Sequence, residues 1–314
     1  MTNNGNMTDN GETPSRSAGR TGIVGLGSMG FGMALSLLRA GLDVAGCDVS
    51  AASVERFATA GGRGAATPAE VAKGADHVVS VVVNAAQTEA ILFGSGGVAE
   101  TLPEGSVFIS CATMDPDVAR SLAARLEAGG RHYLDAPISG GAQRAAEGAL
   151  TILASGSPAA FAKARPALDA MAAKLYELGD APGAGAAFKM INQLLAGVHI
   201  AAACEAIAFA ARQGLDIRKV YEVITASAGN SWMFENRMPH VLDGDYAPRS
   251  AVDIFVKDLG IIQDMARSAK FPVPVSAAAL QMFLAASGAG MGQDDDASLA
   301  RLYARITGTR LPGM

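Results

Sequence analysis

Lys189 and Asn192 stand three residues apart in the run Gly183-Ala184-Gly185-Ala186-Ala187-Phe188-Lys189-Met190-Ile191-Asn192. A helix through this run carries both side chains on one face. The surroundings are apolar, and a lysine that loses its hydration there has its pKa lowered from ~10.4. Such an amine can take a proton from an alcohol while the asparagine holds the molecule in place. A lysine snorkelling to the surface fits the same pattern, so both readings stand at this point. A second candidate is Asp135-Ala136-Pro137-Ile138-Ser139-Gly140-Gly141, at the end of an apolar run. Ser139, Gly140 and Gly141 would expose a hydroxyl and backbone N–H groups with no side chains in the way, which is a seat for a carboxylate or simply a turn between strands.

A third group is Gly25-Leu26-Gly27-Ser28-Met29-Gly30, which is G-x-G-x-x-G in a strand–turn–helix setting. The first glycine permits a tight turn, the second lets the backbone approach a pyrophosphate, and the third allows helix and strand to pack closely. Leu26, Ser28 and Met29 complete the loop, and the helix that follows offers free N–H groups to phosphate. Asp48 ends the next strand, 18 residues past Gly30. A carboxylate there accepts hydrogen bonds from ribose hydroxyls and repels a 2′-phosphate. Val49-Ser50-Ala51 offers no arginine to bind such a phosphate. The cofactor implied is NAD rather than NADP.

These groups need a frame. Short apolar strands over residues 22–26, 43–48, 77–83, 106–110 and 132–136 alternate with helices over 33–40, 53–60 and 116–127. That alternation predicts a parallel sheet covered on both faces. An edge strand over 148–155 and a helix over 158–171 follow. After Gly185 the strand signals fade. Residues 186–212 read as one long apolar helix, punctuated by Lys189, Asn192, Gln193, His199 and Glu205, which suits a buried helix between domains better than a membrane span. Helices over 217–226, 250–268, 275–286 and 296–306 complete an all-α second half. The predicted organisation is a disordered polar tail (1–20, with Met7 as an alternative start), an NAD-binding domain (21–184) and an all-α substrate and oligomerisation domain (185–314).

Composition narrows the function. The 314 residues carry a net charge of −5, with no basic cluster, which argues against a nucleic-acid binder. Half the residues are hydrophobic, which excludes global disorder. Three cysteines, Cys47, Cys111 and Cys204, share no CxxC spacing and make an odd count, as expected in a reducing cytoplasm. No secretory leader is read at the N-terminus. No His, Cys or carboxylate cluster has metal-ligand spacing, so no metal is expected. Asp294-Asp295-Asp296 lacks the offsets of a calcium loop and reads as a solvated helix start with aspartate caps. His199 lies ten residues past Lys189, ~15 Å along a helix, and reads as a buried, satisfied histidine.

Taken together and in this order, the glycine loop, the Asp135–Gly141 run, the Gly183-x-Gly185-x-x-x-Lys189-x-x-Asn192 run and Lys257-Asp258-Leu259 resemble the β-hydroxyacid dehydrogenase family, over about residues 21–308. The resemblance implies an α/β architecture, with an N-terminal Rossmann-type parallel-sheet domain followed by an all-α C-terminal domain. It implies NAD-dependent oxidation of a small hydroxy acid, with Lys189 catalytic and Asn192 helping to hold the substrate. Ser139, Gly140 and Gly141 match the family's substrate-carboxylate loop, and Lys257 a lysine near the nicotinamide. Thr113 and Asn84 match cofactor-contacting positions, although Val83 stands where the family often has proline. Within the family, the stretches 190–199, 227–237 and 253–258 are most similar to the branch that acts on L-threonate. A polyhydroxy acid needs more hydrogen-bond partners than a methyl-bearing one; Asn230 and Ser231 are polar candidates, and Trp232 is a candidate pocket wall or a core residue.

Two other readings compete. An imine reductase shares the architecture but usually lacks the lysine and commonly uses NADPH. A non-catalytic NAD-binding module loses the lysine and usually carries further domains. The apolar helical half suggests a homodimer or homotetramer. The expected partner is a small hydroxy acid, with no nucleic acid and no membrane.

Overall fold

The computed structural model describes residues 19–314. The expected tail, with Met7, lies outside them up to residue 18; Arg20 already opens the first strand.

Six parallel strands form the main sheet: β1 (Arg20–Val24), β2 (Asp43–Cys47), β3 (Arg63–Gly64), β4 (His77–Ser80), β5 (Val107–Ser110) and β6 (His132–Asp135), in the order β3-β2-β1-β4-β5-β6. The helices α1 (Ser28–Arg39), α2 (Ala51–Thr59), α3 (Pro68–Ala72), α4 (Ala85–Phe93) and α5 (Pro116–Glu127) connect them. Both faces are covered, which explains strands without polar alternation. Ile23, Val79, Ile109 and Leu134 belong to one core layer, while Val24, Val78, Phe108 and Tyr133 belong to the opposite one. The order in which strands are added reverses beside β1: β2 and β3 extend the sheet on one side and β4, β5 and β6 on the other, which puts a switch point beyond the C-terminal ends of the paired strands β1 and β4.

Helix α1 begins at Ser28, five residues before the start that propensity suggests. Glycines at 30 and 32 weaken a helix in isolation. Here they are required by packing: a Cβ on Gly30 would lie 1.9 Å from the Gly25 carbonyl oxygen, and one on Gly32 would lie 2.7 Å from the Ala146 nitrogen.

After β6 the chain builds a second, smaller sheet. It contains β7 (Ile138–Ser139), β8 (Leu150–Ala154) and β9 (Ala172–Glu177), with α6 (Gly141–Glu147) and α7 (Pro158–Met171) between them. Strand β8 pairs antiparallel with β7 and parallel with β9, so the expected edge strand is the middle of this sheet. Asp135 and Ser155 exchange backbone hydrogen bonds of 3.0 and 2.8 Å, which fastens the small sheet to the end of β6.

Among the described residues no strand follows Glu177. Helix α8 (Ala184–Arg212) runs 29 residues, followed by α9 (Ile217–Thr225), α10 (Trp232–Asp243), α11 (Val252–Ser268), α12 (Pro274–Ala286) and α13 (Leu299–Thr307). By length and composition α8 could cross a membrane, yet its inner face supplies Met190, Ile200, Cys204 and Ile207 to a core shared with Phe255, Leu259 and Phe283.

The Asp294-Asp295-Asp296 run differs from the expected solvated helix start. Asp295 and Asp296 are fully buried. Asp295 does cap, accepting from the Ala297 N–H at 3.1 Å, and it also faces His240 Nδ1 at 2.8 Å and the Arg249 N–H at 3.1 Å. Asp296 receives both arms of Arg237, at 2.6 and 3.1 Å. The run locks α10 to the last helix from inside, because a buried carboxylate is tolerated only when its oxygens are bonded. Arg237→Ala strands the Asp296 charge and should lower folding stability by about 3–5 kcal/mol, measured by urea unfolding.

Candidate active site

The glycine loop lies at the end of β1. Gly25 has φ +97°, and a Cβ there would lie 2.2 Å from the Val81 carbonyl oxygen. Gly27 is the N-cap of α1, and a Cβ there would meet nothing within 4 Å. No side chain caps α1 and no acidic residue occupies its first turn, so its first N–H groups have no side-chain partner. That is an uncommitted anion seat with room for a phosphate to come against the backbone. Asp48 stands beside it. Its carboxylate accepts from the Leu26 N–H at 2.6 Å and the Ser50 N–H at 2.8 Å, which orients it while leaving acceptor capacity for ribose hydroxyls. The residues present fit a dinucleotide.

The second part joins the two motifs that sequence alone left as separate runs. Lys189 is buried, and its Nζ donates to the Ile138 carbonyl oxygen at 2.8 Å. The lysine therefore does not snorkel; it sits against the strand that leads into Ser139, Gly140 and Gly141. Gly140 and Gly141 adopt φ of +138° and +79°, so the loop turns in a way that side chains disfavour. Burial pulls the Lys189 amine down to about 8; the Asp258 carboxylate works against that shift and the Lys257 ammonium adds to it.

The third part is a hydrogen-bond chain between α8 and α11. Asn192 Nδ2 donates to Gln193 Oε1 at 3.0 Å, and Gln193 Nε2 donates to Asp258 Oδ2 at 2.6 Å. Lys257 Nζ donates to the other Asp258 oxygen and to the Thr113 carbonyl oxygen, the latter at 3.4 Å. Asn192, Lys257 and Thr113, predicted from three separate runs, are thus linked. Gln193 and Asp258 form the links and were given no role from sequence, although both lie beside residues that were.

Three predicted positions have local duties. Asn84 caps α4, its side chain accepting from the Gln87 N–H at 2.9 Å, while the Val83 N–H donates to Gln87 Oε1 at 2.9 Å. A proline at 83 has no N–H to give, so Val83 completes a reciprocal cap. Ser231 caps α10 by accepting from the Phe234 N–H at 3.0 Å. Asn230 donates to the Thr225 carbonyl oxygen at 3.2 Å and bonds Glu235 Oε1. Asn230 and Ser231 line an apolar groove with a half-buried His199, about 15 Å along α8 from Lys189 by helix rise. Trp232, at the start of α10, is half exposed. Among the described residues no group of His, Cys, Asp and Glu is arranged to hold a metal.

Comparison with known proteins bears on this geometry. Residues 20–179 match the NAD binding domain of 6-phosphogluconate dehydrogenase, and residues 183–303 match the NAD-binding region of NADP-dependent 3-hydroxyisobutyrate dehydrogenase. An L-threonate dehydrogenase of Cupriavidus necator is 54% identical over 292 residues, covering 93% of this chain and 97% of its own. One from Escherichia coli is 49% identical over 293 residues, covering 93% and 96%. The crystal structure of a 3-hydroxyisobutyrate dehydrogenase from Salmonella typhimurium superposes with a TM-score of 0.86 at 51% identity, covering 90% of this chain and 99% of that one. The chain belongs to the 3-hydroxyisobutyrate dehydrogenase-related family. It is an NAD-dependent hydroxyacid dehydrogenase, built on the two-part architecture of that family. The glycine loop and Asp48 lie in the part matched as NAD-binding, and Lys189, Asn192 and Lys257 in the second matched region.

If Asp48 holds ribose hydroxyls, Asp48→Asn should weaken a charge-assisted contact and relieve repulsion of a 2′-phosphate. Steady-state kinetics should show kcat/KM for NAD+ falling about tenfold while that for NADP+ rises.

Proposed function

We propose that this chain oxidises a small polyhydroxy acid, L-threonate, at C2 to the 2-oxo acid 2-dehydro-L-erythronate (2-oxo-tetronate), with Lys189 as general base. One observation carries the chemistry: a buried amine, lowered to about 8, held 2.8 Å from the carbonyl oxygen that precedes Ser139. The substrate assignment is supported by 54% and 49% identity, over nearly whole chains, to proteins named for that acid.

NAD, when bound at the switch point, supplies the acceptor for the hydride that leaves C2. Neutral Lys189 accepts the C2 hydroxyl proton as the C–H bond breaks, so the carbinol oxygen becomes the ketone oxygen and Lys189 ends as an ammonium. The Ile138 carbonyl keeps the amine oriented before and after that transfer. Ser139 and the N–H groups opened by Gly140 and Gly141 seat the substrate carboxylate. Asn192, tied through Gln193 to Asp258, holds a substrate hydroxyl in register. Lys257 and Thr113 face the nicotinamide side, and Asn84 sets the α4 turn near it. Asn230 and Ser231 are committed to the turn before α10 and Trp232 is half exposed, so no substrate contact is assigned to them.

Oxidation at C2 is favoured over C3 because a 2-oxo acid is stable, whereas a β-keto acid loses CO2. The alternative is a 3-hydroxyisobutyrate dehydrogenase or a tartronate semialdehyde reductase built on the same residues. Self-association belongs to the same reading, supported by Ile191, Leu195, Phe209 and Leu215 exposed on or just beyond α8.

The test is NADH formation at 340 nm over L-threonate, D-erythronate, 3-hydroxyisobutyrate, glycerate and serine. L-threonate should give the highest kcat/KM, and a preference for another acid overturns the substrate assignment. Lys189→Ala should lower kcat by about 10²–10⁴. The base must be neutral, so kcat/KM for oxidation should rise with pH and level off above about 8. The reverse reduction needs the ammonium and should fall through the same range.

A further inference from the structure

Asp135 is a fully buried carboxylate at the end of β6. Its Oδ2 accepts from the Gly183 N–H at 3.0 Å and the Ala186 N–H at 2.8 Å. Ser155 Oγ, 3.4 Å from the same oxygen, accepts from the Gly185 N–H at 2.9 Å. Three N–H groups at the start of α8 are therefore satisfied from outside the helix, because its N-cap, Gly183, has no side chain to offer. An anion in this place also suits the helix dipole. The helix start is pressed hard against the strands: a Cβ on Gly185 would lie 2.4 Å from the Leu153 carbonyl oxygen and 2.9 Å from that of Asp135.

Lys189 follows one turn later and bonds the Ile138 carbonyl, three residues beyond Asp135. The segment from Asp135 to Ile138 thus grips α8 at two points, and it runs directly into Ser139, Gly140 and Gly141.

We propose that Asp135 is a positioning residue: with Ser155, it fixes the first turn of α8 on the 135–138 segment and so sets the Lys189 amine in register with the Ser139 loop. This rests on the reading of Lys189 as the base. The alternative duty for Asp135 is stability alone, and the two differ in what a variant does to the base. A loosened first turn lets water reach Lys189, whose charged neighbours, Asp258 and Lys257 on α11, stay in place. Arg120 of α5, the cation near Asp135, also stays.

The experiment uses the full chain with NAD+ and the best acid of the panel. Asp135→Asn keeps the shape and removes the charge. Its kcat should fall at least tenfold while KM for NAD+ changes less than twofold. The inflection of kcat/KM against pH, which reports the free enzyme, should move up from about 8 toward the ordinary lysine range. A folded Asp135→Asn enzyme with unchanged kcat and inflection overturns the proposal, whatever its melting temperature. Ser155→Ala decides the matter if Asp135→Asn fails to fold: a loss of kcat of threefold or more with the inflection moved the same way supports the proposal, and no change overturns it. Lys189→Ala separates the two claims. If that variant keeps its activity, the base assignment itself fails; if it is inactive while Asp135→Asn and Ser155→Ala are unaffected, only the positioning claim fails.

Discussion

A lysine amine held inside an apolar helix start is the constraint on which the rest of the structure depends. Burial disfavours the charged form, so the amine needs a fixed acceptor, and the helix that carries it must not slide. The Ile138 carbonyl is that acceptor. The Asp135 carboxylate and Ser155 hydroxyl stop the slide, by taking N–H groups that the glycine-rich start of α8 cannot satisfy itself. The small sheet exists at that junction: β7 presents Ile138, and β8 leads into Ser155. What looks like a minor appendage to the main sheet is the part that holds the Lys189 amine.

The same logic explains where the glycines are needed. Gly185 lets α8 approach the strands to a distance that a methyl group would forbid, and Gly30 does so for α1 against the loop after β1. Both helices begin without a side-chain cap of their own. They differ in what completes them. Helix α8 is completed by a protein carboxylate, whereas α1 is left open, with an empty space beyond Gly27. A long helix whose start is filled by the protein gives a rigid arm. A helix whose start is unfilled gives an anion seat.

The parts legible in the sequence were those set by neighbours along the chain. The glycine loop, the apolar strands and the i, i+3 pair of Lys189 and Asn192 each declare themselves within a few residues. Asp258 and Gln193 do not, because their bond joins positions 65 residues apart on two helices. Asp135 is similar: along the sequence it merely ends a strand, and its duty appears only when Gly183 arrives 48 residues later. Asp295 and Asp296 misled for the opposite reason. Three acidic residues in a row suggest solvent until Arg237 and His240 are seen to come in from α10. Helices α4 and α10 were unseen because their signals are caps, Asn84 with Gln87 and Ser231 with Phe234, rather than long periodic runs.

The charges around Lys189 fit an acid substrate. Lys257 and Asp258 form an ion pair whose carboxylate is also bonded to Gln193, so the pair is internally balanced. A proton on Lys189 then sits as a positive charge in a buried place, which is costly and lowers the amine to about 8, so that about half of it is neutral at that pH. A carboxylate seated at the Ser139 loop would supply the missing negative charge. On this reading, substrate binding makes the ammonium formed during oxidation easier to hold. A neutral alcohol brings no such charge. On the proposed mechanism, selectivity for acids lies partly in Lys189 itself, because the proton it would accept is stabilised by the anion that the substrate carries in.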